Sequence, residues 1–385
     1  MRFTDNRNKI VKYIPAVVFL IFIYGMALWF IFSPKPDYSS SEKRYLQKFP
    51  EVTAEKLLSG DFGSKFETFF ADRFPQRNTW VGLNAYTALA EGNNGASGVY
   101  NCKNGYLINK PVSTENNLDK NIGAVADFAK SIDTPTTVML VPSTGYIVDD
   151  VLPTFHDKYN DDEDISKISS TLSKDKIGFV DLRERFKSEY KNGSQLYYKT
   201  DHHWTTKGAY TGYQELCKAL GITPIDDSTL KKDSYPDFYG TTYSSSGFWL
   251  TPPDNIEIWN NPQNSDRNIS VKITEGANIK TSGSMYFTDH LKEDDKYPVF
   301  IDGNHALTEI TNTNAKNGTI LLIKDSFSHS LAPFLAENYS KVVLVDLRYY
   351  KESVSDLVTT YNPEQVVVLY GIDNLATDTD IVWLK

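Results

Sequence analysis

Twenty consecutive residues near the start of the chain, Tyr13–Phe32 (YIPAVVFLIFIYGMALWFIF), carry no charge. As a helix rising about 1.5 Å per residue this run is about 30 Å long, the thickness of a bilayer's hydrocarbon core. A buried core helix of the same composition would need an unusually large enclosure. A secretory signal has a shorter apolar stretch and a small-residue cleavage site, whereas this run ends in Ser33-Pro34-Lys35-Pro36. We therefore expect an uncleaved anchor at 13–32. Lys and Arg nearly balance across it, with Arg2, Arg7, Lys9 and Lys12 on one side and Lys35, Lys43, Arg44 and Lys48 on the other. The second group is interleaved with Asp37 and Glu42 and lies mostly further from the span. Residues 1–12 are accordingly placed in the cytoplasm and the remainder outside it.

The chain as a whole has the composition of a folded protein, 40% hydrophobic and 23% charged. A net charge of −9 excludes a nucleic-acid partner, which needs a basic footprint. The 24 Tyr, 21 Phe and 6 Trp are compatible with carbohydrate handling, though equally with a Tyr-rich surface. Cys102 and Cys217 form no metal-ligand spacing; pairing in an oxidising compartment is open, and two unlinked buried thiols is the simpler reading.

A Ser/Pro-rich linker covers 33–41, and a helical pattern runs from Thr53 to about Leu89 with a kink or end at Pro75. Phe62, Phe66, Phe69, Phe70 and Phe74 form one apolar stripe, expected to pack on the core of the next domain or on a partner. Beyond Val99 strands and helices alternate. Strands are expected at 137–141, 177–182, 319–323, 341–345 and 365–369, with helices at 114–132, from Thr205 or Thr206 to Leu220, and at 327–338. Short β-branched runs alternating with helices imply a doubly wound, mainly parallel α/β sheet. The organisation is thus 33–98 linker and stem, then 99–385 a catalytic domain with a turn-rich aromatic insertion around 233–278.

Two segments carry chemistry. Lys324-Asp325-Ser326 follows a buried strand and precedes a helix, which places Ser326 at the carboxyl end of a strand, where ligands bind in such sheets and helix-turn amides are free. A serine there is also an ordinary cap. Its hydroxyl needs a base, and the base needs a group to hold its tautomer. Asp201-His202-His203-Trp204 offers both. In an extended segment Asp201 and His203 share a face and His202 faces away. His203 is therefore the expected base, Asp201 its orienter, and His202 a supporting residue. An Asp-His-His metal site is the competing chemistry, but it needs further ligands, and His290 with Asp289, and His305, share no regular spacing with it. No metal and no cofactor are expected.

These residues carry a resemblance. Thr200–Tyr210 (TDHHWTTKGAY) resembles the signature of the bacterial DHHW protein family, which is similar to alginate O-acetyltransferases with SGNH-hydrolase-like domains. FFADRFPQR (69–77), VPSTGYIVDDVLP (141–153), FYGTTYSSSG (238–247), DGNHAL (302–307) and KDSF (324–327) also fit. The resemblance puts Asp201 and His203 on the family's Asp-x-His pair and Ser326 on its serine, in the circularly permuted order with the serine last. It suggests Gly303 and Asn304 as oxyanion donors and Trp204 at the substrate. It implies an SGNH-like fold and O-acetylation of an exported or cell-surface polysaccharide, with a multispanning membrane acyltransferase as partner. Acetyl-coenzyme A would remain on the cytoplasmic side. An acetyl-esterase using the same three residues, or a silent scaffold of a polysaccharide-modifying complex, are the alternatives. The sequence departs from the pattern at Glu42-Lys43-Arg44, where Glu-Asn-Arg is expected, and at Gly145, where related acetyltransferases often have Lys.

Overall fold

The uncharged run continues one helix, α1 (Arg2–Phe32), in the computed structural model, which describes residues 2–113 and 117–384. Lys12–Phe32 is long and apolar enough to cross a membrane, and none of its most apolar window is buried. Contacts divide the chain into two units, Met1–Thr87 and Ala88–Lys385.

In the first unit the helical pattern is broken into α2 (Ala54–Leu58), α3 (Asp61–Asp72) and α4 (Arg77–Ala90). Within this unit the rings of the Phe stripe pack on Phe30 of α1 and on Phe49, and Phe74, just past α3, packs on Trp80. The turn at 36–47 is held by the edge-to-face pair Tyr38–Tyr45 at 5.4 Å and by polar groups. Arg44 bonds Asp72 in bidentate fashion at 3.0 and 2.6 Å, and Arg73 bonds the carbonyls of Pro36 and Gln47. Lys43 sits in this turn at φ +50°, a left-handed conformation that Asn tolerates and a Lys does not favour. The departure from Glu-Asn-Arg therefore has a cost. Lys43→Asn is expected to stabilise this unit by about 1 kcal/mol, read as a rise in denaturation midpoint.

The second unit is built on one eight-stranded sheet. Its strands are β1 (Thr136–Val141), β2 (Gly178–Asp181), β3 (Ile269–Glu275), β4 (Asn278–Ser282), β5 (Leu307–Asn312), β6 (Asn317–Lys324), β7 (Tyr339–Val345) and β8 (Gln365–Gly371). Their order is β4-β3-β5-β7-β6-β8-β1-β2. The run from β7 to β2 is parallel throughout, and β5, β3 and β4 extend it antiparallel. The fold is mixed α/β with a large, mainly parallel sheet.

Alternate residues of the parallel strands feed two cores, as the pleat requires. Met139, Val141, Ile320, Leu322, Val342, Leu344, Val367 and Leu369 pack on one face, beneath α8 (Thr206–Leu220) and α9 (Ser328–Leu335). Val138, Leu140, Leu321, Ile323, Val343, Val345, Val366 and Val368 pack on the other. Over that second face lie α5 (Leu118–Ser131), α6 (Asp161–Lys174) and α10 (Val354–Tyr361), while α7 (Arg183–Lys191) sends Phe186 into the first core. Each fully buried Leu or Val contributes roughly 1.5–3 kcal/mol relative to exposure.

The start of the expected helix at 114 lies outside the described residues; the helix is found from Leu118. The stretch 233–278 is not wholly an insertion, because β3 joins the main sheet. The part that stands apart is a hairpin of Lys231–Phe238 with Asp254–Asn260, bulged between Tyr235 and Phe238. Cys102 and Cys217 are buried free thiols.

Candidate active site

The parallel strands end together, and their carboxyl ends supply most of the site. Between β6 and α9 the chain turns through Asp325, Ser326 and Phe327. Asp325 is the hub of that turn. Its carboxylate accepts from the Phe327 amide at 2.9 Å, from the Gly371 amide at the end of β8 at 2.8 Å, and from the Asn374 side chain at 2.8 Å. Three donors to one buried carboxylate lock the β6 exit to the β8 exit, so Ser326 is held by its neighbour.

The segment carrying Asp201 and His203 is not extended. It is a bend closed by the bridge Tyr197–Trp204, with the Tyr198 amide donating to the His203 carbonyl at 3.2 Å. Asp201 and His203 converge because the Asp201 carboxylate accepts from both the amide of His203, at 2.9 Å, and its Nδ1, at 2.5 Å. This is an Asx turn, and the i, i+2 spacing suits it as well as it suits a strand. His203 Nε2 then lies 2.7 Å from Ser326 Oγ. With Nδ1–H given to Asp201, Nε2 is left as an acceptor for the serine O–H.

The bend also overturns the expected orientation of His202. Its ring does not face away but lies against His203 with centroids 3.9 Å apart and planes tilted by 36°, and its Nδ1 meets Thr241 Oγ1 at 2.7 Å. Burial, and then the charge of His203, push its pKa down to about 4, so it stays neutral at neutral pH. Burial alone would raise the Asp201 carboxyl, but His203, His202 and hydrogen bonds from His203 and the Thr241 amide hold it well below the usual range. Asp201 is therefore a fixed anion.

Thr241 and Gly240 come from the FYGTTYSSSG segment. Thr241 gives Asp201 its amide at 2.7 Å and its hydroxyl at 3.1 Å. A Cβ at Gly240 would fall 2.1 Å from the Asp201 Cβ, so only glycine allows this approach. Sequence reasoning quoted the segment without giving it a role. It likewise missed Asp325, although it precedes Ser326, and Tyr297, whose ring stacks on His203 at 3.9 Å and 10° while its hydroxyl donates to the Ser326 carbonyl at 3.1 Å.

Trp204, expected at the substrate, is fully buried. Its indole N–H donates to the Phe327 carbonyl at 3.0 Å and to Ser330 Oγ at 2.9 Å. It ties the Asp-His bend to the serine turn and touches no open surface. Gly303, expected as an oxyanion donor, gives its amide to the Phe300 carbonyl at 3.1 Å, so that N–H is committed. Asn304 is exposed, and its Oδ1 accepts from Arg348 at 2.9 Å. Arg348 follows β7 and is clamped by Asp346, which also takes the buried Lys324 at 2.8 Å.

A cleft beside the serine turn is lined by Leu107, Ile108, Phe327, Ile372, His202 and Asp373, and among the described residues no Lys or Arg contributes to it. Position 145 is occupied by glycine because the Tyr159 ring lies where a Cβ would be, 2.2 Å away at the nearest atom. Behind the cleft, Ser143 gives its amide to Asp161 at 2.7 Å and its hydroxyl to Asp373 at 3.0 Å. Burial, then the charge of Asp373, raises the Asp161 carboxyl to about 7, and burial raises Asp373 to about 6. Because both folded-state values exceed the unfolded ones, the native state holds more protons, and this pair's stability is lost as pH rises from about 4 through about 7. Asp161→Asn keeps an acceptor for the Ser143 amide and is expected to flatten the fall in Tm between pH 5 and pH 8 by about 3–5 °C. An unchanged pH slope in a thermal melt would show that Asp161 is ionised throughout.

Fold and geometry together define an α/β protein whose parallel strands present a hydrogen-bonded Ser–His–Asp chain at their carboxyl ends. The family profile described as DHHW protein matches residues 112–345, and the chain belongs to that family. A DHHW family protein from Eubacterium siraeum DSM 15702 shares the fold at TM-score 0.63 and 17% identity, over 75% of this chain and 95% of its own. Bacillus cereus PatB1, solved with a sulfonyl adduct, is similar at TM-score 0.61 and 20% identity, over 74% and 97%. The O-acetyltransferase domain of Pseudomonas putida AlgJ matches at TM-score 0.48 and 14% identity, over 75% and 95%. None of the curated proteins compared matches the chain.

Proposed function

We propose that this chain is a membrane-anchored, extracytoplasmic O-acetyltransferase of a cell-surface or exported polysaccharide, with Ser326 as nucleophile, His203 as base and Asp201 as its orienter. The observation that carries the reading is the continuous path from Ser326 Oγ through His203 to the ionised Asp201. In the first half-reaction the serine proton passes to Nε2 as Oγ bonds to the acetyl carbonyl carbon. The bond to the donor's oxygen then breaks, and that oxygen leaves with the proton from His203. In the second, a sugar hydroxyl gives its proton to His203 and attacks the acyl group, and Ser326 departs with that proton. Asn304, its carbonyl held by Arg348, is retained as the oxyanion donor, alongside the Ser326 amide at the helix turn. The permuted motif order and the SGNH-like resemblance support acyl transfer. A multispanning acyltransferase is the donor-side partner in this reading.

PatB1 bears a sulfonyl adduct, and sulfonylation is a reaction of activated nucleophiles. A sulfonyl fluoride is accordingly expected to modify this chain once, on Ser326, with no labelling in Ser326→Ala or His203→Ala. Labelling elsewhere, or none, would remove the nucleophile assignment. Partition of acetyl from a small ester between water and added oligosaccharide then separates transferase from esterase.

A metal reading has one observation in its favour: ligand atoms of Asp201, His202 and His203 lie within 4.8 Å of one another. Each already has a partner, however, His203 with Asp201 and Ser326, and His202 with Thr241. Exhaustive chelation is expected to leave turnover intact; loss on chelation and recovery with zinc or manganese would favour the metal.

A further inference from the structure

The Phe stripe of the first unit has no role in the chemistry above, and most of its surroundings are open. Among the residues of α3, only Asp72 is buried. Phe49, Val52, Leu57, Leu58, Phe66 and Phe70 are all exposed, Leu58 by 90%. Phe49 packs on Phe62, Phe66 and Phe69, so this exposed apolar surface is joined at its centre and is not a scatter of single side chains.

Its position identifies the occupant. Phe30, in the last turn of the apolar α1, packs on Phe70 at 4.7 Å and on Phe69 at 6.3 Å. The exposed face of α3 therefore begins where the span ends. On α3 the apolar residues Phe62, Phe66, Phe69 and Phe70 oppose Asp61, Ser64, Lys65 and Thr68, and Asp61 and Lys65 pair at 2.9 Å. A helix with such a division lies in a bilayer interface with its apolar face about 5–10 Å deep. Lys35 sits 4.1 Å over the Phe30 ring, a cation at the end of an apolar surface, as at a headgroup boundary.

We propose that α2 and α3 form an interfacial collar: they lie on the membrane around the exit of α1, with Leu58, Phe66 and Phe70 inserted among the lipids. The inference rests on the reading of α1 as an anchor. Its consequence is that the first unit is fixed at the bilayer surface by two elements instead of hanging from one span.

The full chain is reconstituted in phosphatidylcholine vesicles as four single-site variants, Phe22→Cys, Leu58→Cys, Phe66→Cys and Ser64→Cys. Each is labelled with an environment-sensitive fluorophore while the native thiols Cys102 and Cys217 remain buried. Lipids carrying a nitroxide are then added. The expected result is loss of most of the emission at positions 22, 58 and 66, and little loss at 64. Water-like emission at 58 and 66 with quenching at 22 overturns the collar while leaving the anchor. A blue-shifted signal at 58 and 66 that nitroxide lipid does not quench means that protein covers the patch, and it also overturns the collar. A water-like signal at 22 overturns the anchor and the collar together.

Discussion

Ser326→Ala is expected to lower acetyl-ester turnover by about 10⁴-fold or more, because in the proposed mechanism the acyl group is carried on Ser326 Oγ. Stability should change little. The hydroxyl bonds His203, and an intramolecular hydrogen bond of this kind is worth about 0.5–1.5 kcal/mol net. Two neighbouring serines are internal controls. Ser330 is occupied by the Trp204 indole, and Ser328 Oγ is buried without a hydrogen-bond partner among the described residues. Ser328→Ala and Ser330→Ala should therefore keep their turnover within a few-fold of wild type. Steady-state rates on a small acetyl ester decide the matter: full activity in folded Ser326→Ala would refute the assignment.

The second large effect separates the adjacent histidines. A general base contributes about 10²–10⁴-fold, so His203→Ala should lose at least that much. Asp201→Asn should lose about 10⁴-fold, since an amide can neither hold the Nδ1–H tautomer nor stabilise the imidazolium that forms. That loss should persist over the whole accessible pH range, because Asp201 is held far below its ordinary pKa and does not recover by titration. His202→Ala should retain most of the chemistry. Its ring is neutral near pH 7 and makes no bond to the serine, but its contact with the His203 ring and the bond to Thr241 mean that some thermal stability is lost. With circular dichroism confirming the fold, a dead His202→Ala beside an active His203→Ala would sink the choice of base.

Local patterns made much of the scaffold readable. The runs at 137–141, 319–323, 341–345 and 365–369 are apolar on consecutive positions, which is the mark of strands covered on both faces, and each is a strand of the parallel core. Thr205 caps α8 by accepting from the Gly208 amide at 3.1 Å, a local event that its residue type announces. The strands β3, β4 and β5 were harder to see. They lie at the antiparallel end of the sheet, where Ser270, Lys272 and Thr274 alternate with apolar residues and the pattern blurs into turn-rich sequence.

The sequence alone determined the chemical vocabulary: one serine at a strand-to-helix junction, one Asp-x-His pair, and an apolar run long enough to span a bilayer. Those features are local, because a strand end, a two-residue spacing and an uncharged stretch are visible without knowing what lies nearby. Only the tertiary structure decided how they are used. The approach of His203 to Ser326 joins residues 123 positions apart, and the Trp204 bonds to the serine turn join others as distant. The close seat of Gly240 against Asp201, and Tyr297 stacked on His203, are also long-range contacts. Contacts of this range arise from how strands are ordered across a sheet, and residue type encodes that order only through the packing of the whole domain. For the same reason the structure turned Trp204 from a substrate-binding residue into a buried tie and His202 from an outward ring into one lying against His203. Periodicity assigns faces within an element, and the Asp-His segment is a bend, to which that rule does not apply.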